Sequence, residues 1–215
     1  MSTSATVDQA SAELRLDPVE DAVREFARGR VVVVVDDADR ENEGDLICAA
    51  STVTPADIAF IVRYTTGIVC APMAAELLDR LEIPLMTNRN RDRMSTAFTV
   101  SVDAGEGIST GVSAADRATT LRTLVDPGSR PDDLVQPGHI FPLRASANGV
   151  LDRPGHTEAA VDLARLAEVP PAGVLAELVN DDGTMMRGQQ LRDFADEHGL
   201  VLISIADLVA ARNRG

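Results

Sequence analysis

The run Val31-Val32-Val33-Val34-Val35 is apolar at every position and β-branched throughout, which suits a strand covered on both faces rather than the half-solvated strand that alternation would signal. Six carboxylates follow within the ten residues Asp36-Asp37-Ala38-Asp39-Arg40-Glu41-Asn42-Glu43-Gly44-Asp45, before the apolar stretch Leu46 to Ala50. So much negative charge costs self-repulsion. An oxygen-only cluster of this kind suits a hard cation, Mg²⁺ or Mn²⁺, whereas zinc would call for more nitrogen or sulfur. The alternative is a solvated acidic loop.

Around this pair the sequence alternates short strands with helices. Asp17 can cap a helix that has Pro18 at its first position and a stripe of Val19, Ala22, Val23, Phe26 and Ala27, ending at Gly29. Thr54-Pro55-Ala56-Asp57 opens a second helix that Gly67 can close, Ile68 to Ala71 returns as a strand, and Met73 to Leu81 reads as a short helix. Strands are expected at 96–102, 140–144, 149–151, 173–179 and 200–205. Helices are expected from Ser113 to Leu124, from a cap at Thr157 to Ala167, over 191–197, and from near Ser204. Asp126 to Gly138 reads as a long loop. Both hairpin-like and crossover-like connections occur, so the expectation is an α/β (α+β) fold: a single three-layer domain with a mixed twisted β-sheet flanked by helices. Residues 1–16 read as a mobile tail and 17–215 as the domain.

The 215 residues, 45% hydrophobic and 25% charged, can bury one substantial core. A formal charge of −14 disfavours nucleic acid and anionic membrane as partners, and no stretch approaches the ~20 apolar residues of a membrane span. With no secretory leader pattern, the expected compartment is cytoplasmic. Cys48 and Cys70 lie in apolar contexts without metal-ligand spacing and read as buried reduced thiols.

Of the three histidines, His198 precedes Gly199 at a helix end and reads as structural. His139 and His156 sit in Pro-Gly-His contexts that abut regular elements. Arg153-Pro154-Gly155-His156-Thr157 combines a guanidinium, a glycine permitting close backbone approach, a hydroxyl and the free N–H groups of a helix start; this is either a phosphate cradle or an ordinary capped helix with a surface arginine. Ser109-Thr110-Gly111 offers a second place for a polar substrate group, or a simple turn. Glu177 lies within the otherwise apolar Val174 to Val179. It either faces solvent or is partly buried with a raised pKa suited to acid-base work.

Together these motifs resemble the 3,4-dihydroxy-2-butanone 4-phosphate synthases over about Val19 to Val209: the acidic segment Asp36 to Leu46, Ser109-Thr110-Gly111-Val112-Ser113-Ala114-Ala115-Asp116-Arg117, the two Pro-Gly-His variants, and Asn180-Asp181-Asp182-Gly183-Thr184-Met185. Gln136 and Pro154 depart from the residues common at those positions, and neither supplies an expected ligand atom. The resemblance implies conversion of D-ribulose 5-phosphate to L-3,4-dihydroxy-2-butanone 4-phosphate and formate in riboflavin biosynthesis, a carbon-carbon lyase reaction. It implies Mg²⁺ or Mn²⁺, two per site, and no organic cofactor. Glu41 and His156 match the metal ligands, with Glu43 a further or water-mediated contact. Arg40, Glu41, Asp45, Arg153, Pro154, Gly155, His156, Thr157 and Glu177 match the substrate site, and His139 and Glu177 the catalytic positions. Cys70, Thr110 and the basic loop Asn88 to Arg93 fall near it by the same analogy. The family is homodimeric, with sites at or near the subunit boundary, and the domain is often fused to a GTP cyclohydrolase II. The competing expectations are a sister Mg²⁺-dependent sugar-phosphate lyase or isomerase, and an inert domain that binds sugar phosphate or a partner.

Overall fold

The computed structural model describes residues 14–214. The valine run becomes strand β1 (Val32–Val35), and the acidic segment is the connection to β2 (Gly44–Ala49), which pairs with it antiparallel, Val35 opposite Gly44. Val32, Val33 and Val34 are fully buried, each removal from water contributing roughly 1.5–3 kcal/mol. Their alternation splits the core in two. Val31, Val33 and Val35 pack with α2 (Pro55–Tyr64), α3 (Ala75–Arg80), α4 (Ala114–Val125) and α6 (Gln189–His198), while Val32 and Val34 pack with α1 (Val19–Ala27), α5 (His156–Leu166) and α7 (Ile205–Arg212). The result is the expected three layers.

The sheet between them has seven strands. With β3 (Cys70–Met73), β4 (Val102–Ala104), β5 (Leu134–Arg144), β6 (Gly173–Glu177) and β7 (Leu202–Ser204), the spatial order is β4-β5-β3-β6-β2-β1-β7. It is mixed: β1 runs parallel to β7 and β3 to β5, whereas β6 lies antiparallel to both β2 and β3. Among the described residues no helix is long and apolar enough to cross a membrane, and both cysteines are buried and free.

Several local expectations change. Leu14 and Leu16, within the stretch read as a tail, pack against the core, and the rest of that stretch up to residue 13 lies outside the described residues. Asp17 does not cap α1; its carboxylate instead accepts from the Leu202 N–H and Arg192, both at 2.8 Å. Residues 96–100 make single bridges, Leu85 to Thr99 and Phe98 to Leu143, instead of a continuous ladder. The segment 149–151 is a 3₁₀ turn because the Val150 N–H is drawn to the buried Asp162 carboxylate at 2.9 Å. Residue 155 caps α5, so Thr157 lies inside the first turn.

The expected loop through Gly138 ends early, and this matters for the site. Strand β5 begins at Leu134, but Val102 pairs with Ile140 while Asp103 pairs with Val135. The intervening residues leave the ladder as a bulge, which accommodates Pro137 and re-aims the chain at His139.

Candidate active site

One edge of the sheet gathers the charged groups. Asp45, the second residue of β2, lies directly opposite Glu177 at the end of β6, and Cys70 opens β3 opposite Leu175. Their side chains share the face that carries α5, whose first residue is His156. A cavity of about 210 Å³ opens there, lined by Arg40, Glu41, Glu43, Asp45, Cys70, Arg153, His156, Thr157 and Glu177 together with Asp92, Met94, Thr96, Phe98, Leu143 and Leu175.

The acidic connection is ordered around Asp36. Its buried carboxylate accepts from the backbone N–H groups of Glu41 (3.1 Å) and Glu43 (2.9 Å) and from Arg40 (2.8 Å). These bonds fold the loop back so that Glu41 points at His156, whose Nδ1 lies 3.8 Å from both Glu41 Oε2 and Asp45 Oδ2. His156 Nε2 donates to the Val34 carbonyl at 3.1 Å, because a carbonyl can only accept. That bond fixes the neutral tautomer with its lone pair on Nδ1, the arrangement in which histidine ligates a metal.

Burial and charge compete here. The contact with His156 holds the Glu41 carboxyl below its ordinary range, with Arg40 helping. Burial pushes Asp45 up to about 7, against the pull of His156 and with the nearby carboxylates adding to the rise. Burial alone would lower the His156 pKa, but Asp45 and Glu41 carry it to about 9. Burial also raises Glu43 and keeps Cys70 a protonated thiol.

The donor set fits a hard cation. Ligand atoms of Asp36, Glu41 and His156 lie within 4.8 Å of one another, and Asp45 Oδ1 is buried without a hydrogen-bond partner among the described residues. An orphaned carboxylate oxygen is costly unless a cation or water meets it. Since the Asp36 oxygens are already engaged, Glu41, Asp45 and His156 are the groups that could hold metal.

Beside them two arginines meet the start of α5. Arg153 Nη1 donates to Glu158 at 2.6 Å, while its other nitrogens reach the Met94 carbonyl and the Thr96 hydroxyl at 3.1–3.2 Å. The backbone at Gly155 is extended and would suit any residue, yet a Cβ there would collide with Arg153 Nη1 and press on Arg40 Nη2. Two guanidiniums therefore converge over Gly155 beside the open N–H groups at the start of α5. Pro154 does not line the cavity.

His139 is not among the residues that line this cavity. It stands on the bulge of β5, its side chain 46% exposed, with Nδ1 2.6 Å from Asp103 Oδ2 and its N–H donating to Asp103 Oδ1 at 2.9 Å. Gly111, at φ +88, covers this dyad so closely that no side chain would fit. Asp116 ties down the Ser109 to Gly111 segment by accepting from the Ser109 hydroxyl (2.7 Å) and the Gly111 N–H (3.1 Å). Thr110 does not reach the cavity. His198 stays structural, packed against Phe60, Tyr64 and Phe194.

Sequence reasoning missed Asp36 as the organiser of the acidic loop, and Asp103 and Glu158 as partners of His139 and Arg153. Asp36 had a signal in its position at the head of the loop. Asp103 and Glu158 had none, since their partners are set by the sheet and by the fold of α5.

Comparison with known proteins agrees with this architecture. The profile of the 3,4-dihydroxy-2-butanone 4-phosphate synthase family matches residues 20–211. The chain is 57% identical over 192 residues to the 3,4-dihydroxy-2-butanone 4-phosphate synthase of Agrobacterium fabrum, covering 89% of this chain and 90% of that protein. It is 63% identical over 196 residues to the riboflavin biosynthesis protein RibBA of Salinispora arenicola, covering 91% of this chain but 47% of that protein, so the chain spans about half the length of such relatives. A crystal structure of a 3,4-dihydroxy-2-butanone 4-phosphate synthase in complex with two magnesium ions superposes with a TM-score of 0.90 at 42% identity, covering 93% of this chain and 98% of that one. With the profile matched along nearly its whole length and the fold shared, this chain belongs to the 3,4-dihydroxy-2-butanone 4-phosphate synthase family.

Proposed function

We propose that the chain converts D-ribulose 5-phosphate to L-3,4-dihydroxy-2-butanone 4-phosphate and formate, the carbon-carbon lyase step that riboflavin biosynthesis requires. The observation that carries this reading is the juxtaposition in one cavity of Glu41 and Asp45, both 3.8 Å from His156 Nδ1, with the two arginines over Gly155. A sugar phosphate needs both ends held. Arg153, Arg40, Thr157 and the first N–H groups of α5 bind the phosphate, which fixes the carbon skeleton against the carboxylates. When bound at Glu41 and His156, a pair of Mg²⁺ or Mn²⁺ ions supplies Lewis-acid stabilisation of negative charge on the substrate oxygens, and no organic cofactor is required. Glu177 and His139 move protons during enolisation and rearrangement, and Asp103 holds the His139 ring in one orientation by its bond at Nδ1.

His139 reaches the cavity of a second copy in this reading. Its exposure, its absence from the lining of the cavity in its own chain, and the exposed apolar side chains of Ile68, Val112 and Val135 support a homodimer with sites at the subunit boundary. Replacement separates the roles. H139N and E177Q are each expected to lose turnover far more than binding of ribulose 5-phosphate, and co-refolding the two is expected to recover up to about a quarter of wild-type activity through mixed dimers with one intact site. Wild-type turnover in H139N would sink the catalytic assignment. No recovery on mixing would place both residues in one chain's site.

A further inference from the structure

The turn that follows α2 meets the site at one point. Thr66 Oγ1 donates to Glu177 Oε2 at 2.5 Å, across 111 residues of sequence. The backbone on which it sits is held by a second set of bonds. The Thr66 N–H donates to the Glu177 carbonyl at 2.9 Å, Thr65 bridges Leu178 as an extra sheet partner, and the Thr65 hydroxyl donates to the Ile61 carbonyl at 2.7 Å while accepting from the Gly67 N–H at 3.2 Å. The Thr66 hydroxyl has one proton, and its direction is fixed as well. The Ile68 N–H donates to that oxygen at 3.3 Å, so the hydroxyl's own hydrogen is left for the carboxylate.

Glu177 needs such a hold. It ends β6 directly opposite Asp45, two carboxylates on one face of neighbouring strands, where like charges repel and nothing in the strand itself fixes the rotamer of a long acidic side chain. The bond is partly open to water, where a hydrogen bond adds little to folding stability, so its effect falls on where the carboxylate points.

We infer that Thr66 is a positioning residue for the reaction: its hydroxyl clamps Glu177 Oε2, which leaves Oε1 as the oxygen presented to a proton on the bound sugar phosphate. This rests on the proton-transfer role proposed for Glu177. A group held within hydrogen-bond reach of its target needs less reorganisation to react, and that advantage is lost when the clamp is removed.

Valine keeps the shape of threonine without the donor. T66V is expected to lower kcat for formate release from ribulose 5-phosphate about tenfold, the scale set by a hydrogen bond to a charged group. KM and the thermal midpoint should stay at wild-type values, and T66S should restore turnover. Introduced into E177Q, T66V should add no further loss, because it acts through that carboxylate. Wild-type kcat in T66V, or an equal loss in the E177Q background, would overturn the inference. A crippled E177Q beside a fully active T66V overturns it while leaving the Glu177 role standing. Full turnover in E177Q removes that role and this inference together.

Discussion

His156 carries the sharpest conflict in the molecule, a buried imidazole that Asp45 and Glu41 hold in its charged form up to about pH 9, whereas the metal-ligand role proposed for it requires the neutral ring. Cation binding therefore has to displace a proton. Affinity for Mg²⁺ is expected to rise roughly tenfold per pH unit between about 7 and 9, with about one proton released per chain, measured by titration calorimetry in buffers of different ionisation enthalpy. A flat profile would contradict the assignment of Nδ1. The metal-free protein should show the matching trend in stability. A His pKa raised from 6.5 to about 9 contributes stability that is complete below the lower value and lost as pH rises through the higher. Asp45, raised from 3.8 to about 7, acts in the same direction over its own window, so the metal-free thermal midpoint should fall from neutrality toward pH 9 and saturating Mg²⁺ should flatten the fall. At this scale the sequence was legible wherever chemistry is contiguous. Arg40, Glu41 and Asp45 stand in one run and Arg153 to Thr157 in another. Their partners were not, because Asp103 is 36 residues from His139 and Thr66 is 111 from Glu177, pairings that only the sheet creates.

Elements place these residues through their ends. The hairpin from β1 to β2 is held by Asp36, the bulge in β5 turns His139 toward Asp103, and α5 presents its first turn to the cavity. Gly155 tests the last of these. Alanine suits its extended backbone, so G155A should fold normally, but its methyl must displace the Arg153 guanidinium, which four hydrogen bonds hold in place. KM for ribulose 5-phosphate is expected to rise about tenfold or more, with a lower thermal midpoint as the buried Glu158 loses its guanidinium, whereas an unchanged KM would mean that no phosphate sits over Gly155. Helices with amphipathic stripes were readable from sequence, as was the start of α7 near Ser204, whose side chain accepts from the Asp207 N–H. What escaped were the places where a side chain outbids the local pattern. Asp17 serves Leu202 and Arg192, more than 170 residues away, instead of capping α1, and the buried Asp162 carboxylate bends 149–151 into a turn.

At the scale of the whole molecule, a seven-stranded mixed sheet with helices on both faces supplies one edge where the ends of β1 and β6 and the starts of β2, β3 and α5 meet. The three-layer architecture followed from apolar runs buried on both sides, but strand order did not, since β6 enters between β2 and β3 although 123 and 99 residues of chain, respectively, separate it from them. That insertion is what sets Glu177 opposite Asp45. The proposed function requires this edge to cleave a sugar phosphate in a metal-dependent way. It is tested most directly with ribulose 5-phosphate carrying ¹³C at C4, followed by NMR with Mg²⁺ and with EDTA. The predicted result is labelled formate together with an unlabelled four-carbon phosphate in the presence of Mg²⁺, and neither with EDTA. Binding without formate under any divalent ion, or label retained in a five-carbon product, would contradict it.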